Sequence, residues 1–375
     1  RTKRFIHFML IKGKQYQTIW LHPEDDTIVQ LIDQRWLPHK IVIADIHSVD
    51  EMCVAIRDMW VRGAPLIGAA AGWGMYLAAC EVPASCARDF FFEEAYGKLL
   101  KTRPTAVNLR WALNEMLHAL TGNDSIAESK WYARVRAQGI CEIDIEANTA
   151  IGNYGFSLIE EIAKRKQGEP VNIMTHCNAG WLATVDRGTA TAPIYAAAER
   201  HIPVHIYVSE TRPRNQGAQL TAWELGENGI PYTLIADNAA GYLMQQGKVD
   251  IILVGTDRTT AKGDVINKIG TYLKALAAHE HHIPFYVAAP SSSIDFTMQD
   301  ALTEAVIEER SAEEVLYIQG LHAGNIQQVL VAPADAHAVN PAFDITPSRY
   351  VTGLITERGI CAAEPEAIAR LFPHR

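Results

Sequence analysis

The spacing of apolar positions changes twice along the chain. In the first 40 residues apolar and polar positions alternate in short bursts, which predicts the strands of a small sheet. From Val49 to about Asn153 the apolar residues recur at helical spacing. We therefore predict a smaller, mainly helical N-terminal domain with a short β-sheet. Its predicted strands are Phe5–Ile11, Tyr16–Leu21 and Val29–Asp33, and its predicted helices are Val49–Arg62, Pro65–Cys80, Ala87–Lys101, Ala106–Leu120 and Ser125–Ser157.

After Gly168 short β-rich runs alternate with helix-like stretches. Such alternation is typical of βαβ units and of a parallel sheet. We therefore predict an α/β protein whose C-terminal domain is Rossmann-like, with domains at residues 1–153 and 154–375. The predicted strands are Val171–Cys177, Val204–Glu210, Tyr232–Ala236, Ile251–Asp257, Phe285–Ala289 and Val329–Ala332.

Polar side chains follow the ends of these predicted strands. Cys177 ends the first strand, Gln216 opens the helix after the second strand, and Asp257 ends the fourth. Ligands of open parallel sheets bind outside the carboxyl ends of the strands, so these residues are expected on one rim. Considered alone, a buried cysteine is more often a packing residue than a reactive one.

Two predicted helix starts offer places for a phosphate group. Arg62–Ala64 precede a proline that suits the first helical position. Lys262–Asp264 precede a segment that we interpret as a helix over Val265–His279, with Asn267 and Lys268 in its first turn. Free amides at a helix start bind anions. The alternative for the second segment is an ordinary capped helix whose Lys268 faces solvent.

The charge balance argues against nucleic acid as a partner. The chain has 34 Lys and Arg against 43 Asp and Glu, a net charge of −9. Binding to a phosphate backbone depends on a broad basic surface. An anionic substrate must therefore be held by a few placed cations and backbone amides.

Other sequence features point to a protein of the cytoplasm without metal or membrane span. The six cysteines form no CxxC pair, which is typical of a reducing compartment. His279–His282 misses the HExxH spacing and sits at a predicted helix end, so we expect no metal. Ala64–Cys80 is uncharged but shorter than the ~20 apolar residues of a membrane span.

Eight blocks of the sequence resemble the methylthioribose-1-phosphate isomerase family, aldose–ketose isomerases of methionine salvage. Together they extend over most of the chain. They are LIDQRWLP (Leu31–Pro38), IRDMWVRGAPLIGAAA (Ile56–Ala71), TRPTAVNL (Thr102–Leu109), THCNAG (Thr175–Gly180), ETRPRNQGAQLTAWEL (Glu210–Leu225), VGTDRTTAKGDVINKIGTYLKALAA (Val254–Ala278), FYVAAPSSSID (Phe285–Asp295) and NPAFDITP (Asn340–Pro347).

The resemblance implies conversion of 5-methylthioribose 1-phosphate to 5-methylthioribulose 1-phosphate by a cytoplasmic homodimer without a cofactor. It implies Cys177 and Asp257 as the catalytic pair. We expect burial to keep Asp257 protonated for ring opening, and nearby cations to favour a Cys177 thiolate for the transfer from C2 to C1; the two roles remain interchangeable. The residues implied to bind the phosphosugar are Arg62, Gly63, Ala64, Arg103, Gln216, Asn267 and Lys268.

Other members of the wider family leave alternatives open. The substrate could instead be 5-deoxyribose 1-phosphate or ribose 1,5-bisphosphate, and the regulatory subunits of the translation-initiation exchange factor act by binding partners. Ser209, Trp181 and Thr256 differ from the residues usual in the family. Trp181 lies four residues past Cys177, where we expect it to shape the pocket around the 5-substituent.

Overall fold

The structure, a computed structural model, describes residues 9–83, 87–104 and 106–373. In chain order its first elements are β1 Met9–Ile11, β2 Lys14–Tyr16, β3 Ile19–Leu21, β4 Val29–Ile32, β5 Ile43–Ile46, α1 Val49–Arg57, α2 Ala64–Glu81, α3 Arg88–Thr102, α4 Val107–Leu120 and α5 Ile126–Lys166. The strands β3, β4 and β5 form an antiparallel sheet. The prediction of a helical region with a short sheet is confirmed, although residues 5–8 of the first predicted strand lie outside the described residues.

The centre of the helical part is α2, which α1, α3, α4 and α5 surround. Small residues let its neighbours approach closely: a Cβ at Gly68 would lie 3.2 Å from the Asn108 carbonyl oxygen. The uncharged composition of this segment therefore reflects burial on all sides. Among the described residues, no helix is both long enough and apolar enough to cross a membrane.

The remaining elements build the α/β part. They are β6 Val171–His176, α6 Ala192–Glu199, β7 Val204–Ser209, α7 Ala222–Glu227, β8 Tyr232–Ile235, α8 Ala239–Gln245, β9 Ile251–Val254, β10 Arg258–Thr260, β11 Val265–Lys268, α9 Thr271–Glu280, β12 Phe285–Ala288, β13 Ile294–Asp295, α10 Ala301–Glu304, α11 Glu313–Leu316, β14 Tyr317–His322, β15 Asn325–Leu330, β16 Phe343–Thr346, β17 Gly353–Thr356, β18 Gly359–Cys361 and α12 Pro365–Leu371. A seven-stranded sheet has the order β18-β17-β12-β9-β6-β7-β8. All its pairings are parallel except that of β18, which confirms the predicted fold class.

The sixth strand of the parallel sheet was placed wrongly by the sequence pattern. Of the run Val329–Ala332, Val329 and Leu330 belong to the hairpin β14–β15, which pairs outside the large sheet. The parallel strand is instead β17, whose Leu354 and Ile355 are fully buried. Val329 and Val331 are about half exposed. This run therefore lies at the surface, although its composition is typical of a core strand.

The predicted helix over Val265–His279 is also wrong in its first turn. Residues 265–268 form β11, which pairs with β16 and places Lys268 opposite Phe343. The helix α9 begins only at Thr271, after Gly270 with φ 98°. Asp264 caps no helix; its carboxylate accepts a hydrogen bond from the Ser348 backbone N–H. Antiparallel pairing with a distant segment has overridden the local helical pattern.

The predicted domain boundary after residue 153 falls inside α5, a helix of 41 residues. This helix packs against α2 and α4 in the helical part and against α6 and β17 in the α/β part. The two parts therefore share one continuous helix, and the division at 153/154 stays a prediction.

Candidate active site

All nine residues predicted for the site line one pocket between the helical part and the carboxyl ends of the parallel strands. They are Arg62, Gly63, Ala64, Arg103, Cys177, Gln216, Asp257, Asn267 and Lys268. These residues come from the start of α2, the end of α3, the loops after β6, β7 and β9, and the strand β11. The pocket therefore gathers groups that lie up to 206 positions apart in the chain, from Arg62 to Lys268.

The start of α2 forms one wall of the pocket. Gly63 is its N-cap residue with φ 100°, and a Cβ there would lie 2.6 Å from backbone atoms of Ala183. Glycine is thus required both by conformation and by space. The first helical turn, which carries a proline as predicted, presents its N-terminal end to the pocket and favours an anion there.

Arg62 is fixed across the pocket by the residue after Cys177. Its guanidinium donates two hydrogen bonds to Asn178, at 2.6 Å to the side-chain oxygen and 2.7 Å to the backbone oxygen. The Asn178 amide donates in turn to Thr221 and to the buried Glu224. Burial raises the pKa of Glu224 to about 7. Sequence reasoning gave Glu224 no role, and its only signal was its place in the block Glu210–Leu225.

The thiol and the carboxyl share this pocket with Lys268. Burial raises the pKa of Asp257, and the nearby cations Lys268, Arg103 and Arg62 offset part of that effect. This direction supports the expectation that the Asp257 carboxyl is protonated more readily than an exposed one. Burial also raises the pKa of the Cys177 thiol, although Arg62 and Lys268 act in the opposite direction. The expected thiolate is therefore not favoured in the free protein.

Lys268 is a buried cation in the pocket wall. Its side chain is 8% exposed, and the ammonium lies 4.7 Å from the centroid of the Phe343 ring. Burial lowers its pKa, while Cys177 and Asp257 favour the charged form. A buried ammonium in this position stabilises an anion that enters the pocket.

Two further polar groups of the site lack protein partners. Nε of Arg103 and Oε1 of Gln216 are buried and have no hydrogen-bond partner among the described residues. The terminal nitrogen of Arg103 is held by Glu308 at 3.3 Å. Buried polar groups are normally satisfied, so these two atoms indicate a pocket that is completed by a ligand with both acceptor and donor groups.

The expectation that Trp181 shapes this pocket is wrong. Trp181 is fully buried and packs against Trp223 with 6.0 Å between the ring centroids. It is not among the residues that line the pocket. Of the other unusual residues, Thr256 does line the pocket and Ser209 donates to Asp237 behind it.

The family model of the initiation factor 2 subunit family matches residues 60–363 of the chain. The chain belongs to this family. Proteins similar to the chain are named both as isomerases and as a translation initiation factor subunit. The matched region contains all nine residues predicted for the site.

Several members of the initiation factor 2 subunit family match over nearly the full length. The methylthioribose-1-phosphate isomerases of Brucella anthropi and Sinorhizobium medicae are 57% identical over 369 residues and 56% identical over 372 residues; each match covers 98% of this chain and 100% of the relative. The resemblance found in the sequence is thus confirmed.

Solved structures of the family share the fold. The 5-methylthioribose 1-phosphate isomerase of Pyrococcus horikoshii OT3 matches with a TM-score of 0.82 and 42% identity, covering 96% of this chain and 97% of that one. The eIF-2B delta subunit from A. fulgidus matches with a TM-score of 0.79 and 37% identity, covering 96% and 100%.

Proposed function

We propose that the protein is an aldose–ketose isomerase that converts 5-methylthioribose 1-phosphate to 5-methylthioribulose 1-phosphate. The observation that carries the proposal is the presence of Cys177, Asp257 and Lys268 in one pocket. Full-length relatives that are more than half identical bear the name of such an isomerase. The residues that the resemblance implied line this one pocket, which supports the proposal.

The phosphate group is proposed to bind between the two walls of the pocket. Lys268 and Arg103 supply positive charge from one side, and Arg62 with the amides of Gly63 and Ala64 supplies charge and donors from the other. Charge-assisted hydrogen bonds of this kind are about twice as strong as neutral ones. Gln216 and Asn267, which also line the pocket, are proposed to form hydrogen bonds with the sugar hydroxyls and the phosphate oxygens.

The reaction begins with opening of the furanose ring, because C1 carries a phosphate ester and no free aldehyde. Asp257, protonated at the outset, is proposed to donate its proton to the ring oxygen as the bond from C1 to that oxygen breaks. Its raised pKa fits this role. The substrate is then an open chain with an electron-deficient C1 next to the C2–H bond.

The raised pKa values of both groups favour one order of proton transfers. The Asp257 carboxylate, formed by ring opening, removes the C2 proton and leaves an enol at C1 and C2. The Cys177 thiol then protonates C1, and the resulting thiolate takes the proton of the C2 hydroxyl as the ketone forms. All protons balance, and both side chains return to their starting states.

Isotope labelling tests this order of transfers. In D₂O the route above is expected to place solvent deuterium at C1 of the ketose, because the Cys177 thiol exchanges with solvent before it donates. Substrate deuterated at C2 should correspondingly lose its label to solvent. Complete retention of the C2 label at C1, measured by mass spectrometry of the product, would instead indicate direct hydride transfer.

The function itself is tested by comparing three substrates. We expect ketose formation with 5-methylthioribose 1-phosphate, at a higher kcat/KM than with 5-deoxyribose 1-phosphate or ribose 1,5-bisphosphate. Equal kcat/KM values would show that the 5-substituent is not recognised. No turnover of any of the three, together with a stable hetero-oligomer in a pull-down, would favour a regulatory subunit such as the A. fulgidus relative.

Replacement of Lys268 by methionine is expected to weaken substrate binding. The KM should rise ~30-fold, because hydrogen bonds to charged groups contribute about 1.5–3 kcal/mol. The folded chain disfavours the charged ammonium, since burial lowers its pKa. Below the ordinary lysine pKa this group therefore costs stability, and Lys268→Met should raise the thermal midpoint. Steady-state kinetics and thermal unfolding at neutral pH measure the two effects.

The matched control is Lys262→Met. Lys262 is exposed and lies outside the pocket, although its segment was predicted as an anion site. Its KM should equal that of the wild type. An equal rise of KM in both variants would show that the effect of Lys268 is not local to the pocket.

The quaternary structure and the location remain proposals. We propose a cytoplasmic homodimer, as the resemblance implies. Light scattering on the purified protein should give a mass of twice 41.5 kDa. A monomeric mass at micromolar concentration would contradict the dimer without affecting the assignment of the pocket.

A further inference from the structure

The backbone at Cys177 has a conformation that cysteine rarely adopts. Its φ is 60°, one residue after β6 ends at His176. In this left-handed region the Cβ atom crowds the backbone, so residues other than glycine avoid it. Such a conformation persists only where the surrounding structure holds it in place, and it is found often at functional sites.

Two buried threonine hydroxyls hold the two peptide groups of Cys177. The Cys177 backbone N–H donates to Oγ1 of Thr211 at 2.8 Å. Oγ1 of Thr221 donates to the Cys177 carbonyl oxygen at 2.7 Å. The two threonines are 0% and 1% exposed, so water cannot easily take over either bond. We refer to Thr211 and Thr221 as the threonine clamp.

Each hydroxyl of the threonine clamp has a defined direction. Oγ1 of Thr211 donates to the Ser209 carbonyl at 2.9 Å, which leaves a lone pair for the Cys177 N–H. Oγ1 of Thr221 accepts from the Asn178 amide at 3.1 Å, which leaves its own proton for the Cys177 carbonyl. The donor and acceptor roles are therefore complementary and not interchangeable.

The position of Thr221 depends on an unusual turn of helix. Residues Gly217–Thr221 form a π-helical turn after β7, and Thr221 is its last residue. Such turns are rare and occur frequently at functional sites. Here the last side chain of the turn is the one that bonds the backbone of Cys177.

We propose that Thr211 and Thr221 are positioning residues that hold Cys177 in the conformation that directs its thiol into the phosphosugar pocket. Cys177 lines that pocket, whereas neither threonine does. Thr211 therefore acts on the reaction through Cys177. Thr221 acts through Cys177 and also bonds Asn178, which holds Arg62. The proposal rests on the proposed function for the part that the thiol plays, while the hydrogen bonds are independent of it.

The test replaces each threonine by valine, which has the same shape but no hydroxyl. We expect Thr211→Val and Thr221→Val to lower kcat about 10²-fold, since a displacement of about 1 Å has effects of that size. The KM should stay within about threefold of the wild type, because Asn178, which holds Arg62, keeps its hydrogen bond to Glu224 in Thr221→Val. The serine variants Thr211→Ser and Thr221→Ser keep the hydroxyl and should restore kcat.

Thr356→Val is the matched control. The Thr356 hydroxyl is fully buried, accepts from the Arg358 backbone N–H at 3.1 Å and donates to the Gly359 carbonyl at 2.9 Å. It makes the same pair of bonds as Thr211, at a place outside the pocket. A purely structural role would give all three valine variants lower thermal midpoints and similar kcat values, and that result would overturn the proposal. Wild-type kcat in both clamp variants would overturn it as well.

A second measurement separates this proposal from the proposed function. Alkylation of Cys177 by iodoacetamide, followed by peptide mass spectrometry, needs no substrate. Its rate should differ from the wild type in both clamp variants and equal it in Thr356→Val. Should the clamp variants not fold, hydrogen exchange on the wild type decides, because the Cys177 N–H is expected to be strongly protected. A rapidly exchanging Cys177 amide would contradict the clamp even if the isomerase activity is found.

Discussion

Replacing Asp257 by asparagine is expected to lower kcat at least ~10²-fold, the usual minimum for a general acid–base residue. Asparagine keeps the shape of the carboxyl but can neither give a proton to the ring oxygen nor remove one from C2. The KM should change little, because the phosphate is held by Lys268 and Arg62 on either side. Steady-state kinetics with 5-methylthioribose 1-phosphate measure both constants.

The matched control for this variant is Asp186→Asn. Burial raises the pKa of Asp186 to about 7, as burial also raises the pKa of Asp257, but Asp186 lies outside the pocket. Its kcat should equal that of the wild type. Near-normal turnover in Asp257→Asn would end the assignment of Asp257, and an equal loss in Asp186→Asn would show that the loss follows from disrupted folding.

Asp257→Asn should also stabilise the folded chain at neutral pH. Because the folded pKa of Asp257 is raised, the folded state binds more protons than the unfolded state between the two pKa values. Stability therefore falls as the pH rises through this window. Asp257→Asn removes that loss, so the difference in thermal midpoint from the wild type should increase from pH 4 to pH 8. A constant difference would show that the carboxyl is not perturbed.

Replacing Cys177 by serine is also expected to lower kcat at least ~10²-fold. A serine hydroxyl is a far weaker acid than a thiol, so it protonates C1 poorly even when its backbone is held in the same conformation. Ring opening by Asp257 and removal of the C2 proton do not need the thiol. We therefore expect the variant still to exchange the C2 proton of bound substrate with D₂O, while ketose formation is lost.

Cys53→Ser is the control for the loss of a buried thiol. Cys53 is 8% exposed, against 6% for Cys177, and burial raises the pKa of its thiol to about 11. It lies in α1, away from the pocket. Wild-type kcat in Cys53→Ser together with the loss in Cys177→Ser would assign the effect to the site. Unchanged turnover in Cys177→Ser would remove the thiol from the mechanism.

Residue types alone did not assign the roles of the Cys177 thiol and the Asp257 carboxyl. Cations close to Cys177 suggested a thiolate, since opposite charge lowers the pKa of a thiol. Burial of the same residue acts in the opposite direction and outweighs the cations. Burial is a property of the folded chain, and the residue pattern around Cys177 contains no measure of it.

The sequence by itself determined the helices of the N-terminal part, the first five strands of the parallel sheet, the placement of Cys177 and Asp257 at strand ends, and that of Gln216 at the helix start after β7. These features follow from local periodicity and from the rule that ligands bind at the carboxyl ends of parallel strands. Gly63 and the proline after it likewise marked the start of α2, because helix starts have local requirements.

Only the tertiary structure decided how Lys268 reaches the pocket, where the last parallel strand lies, and which residues hold Cys177. Lys268 is on β11 because that strand pairs with β16, some 75 residues later in the chain. Hydrogen bonds between distant segments chose strand over helix there, and burial against β12 chose β17 over the apolar run near Val329. Long-range pairing and burial have no local signature, because each depends on a partner that the fold alone brings into contact.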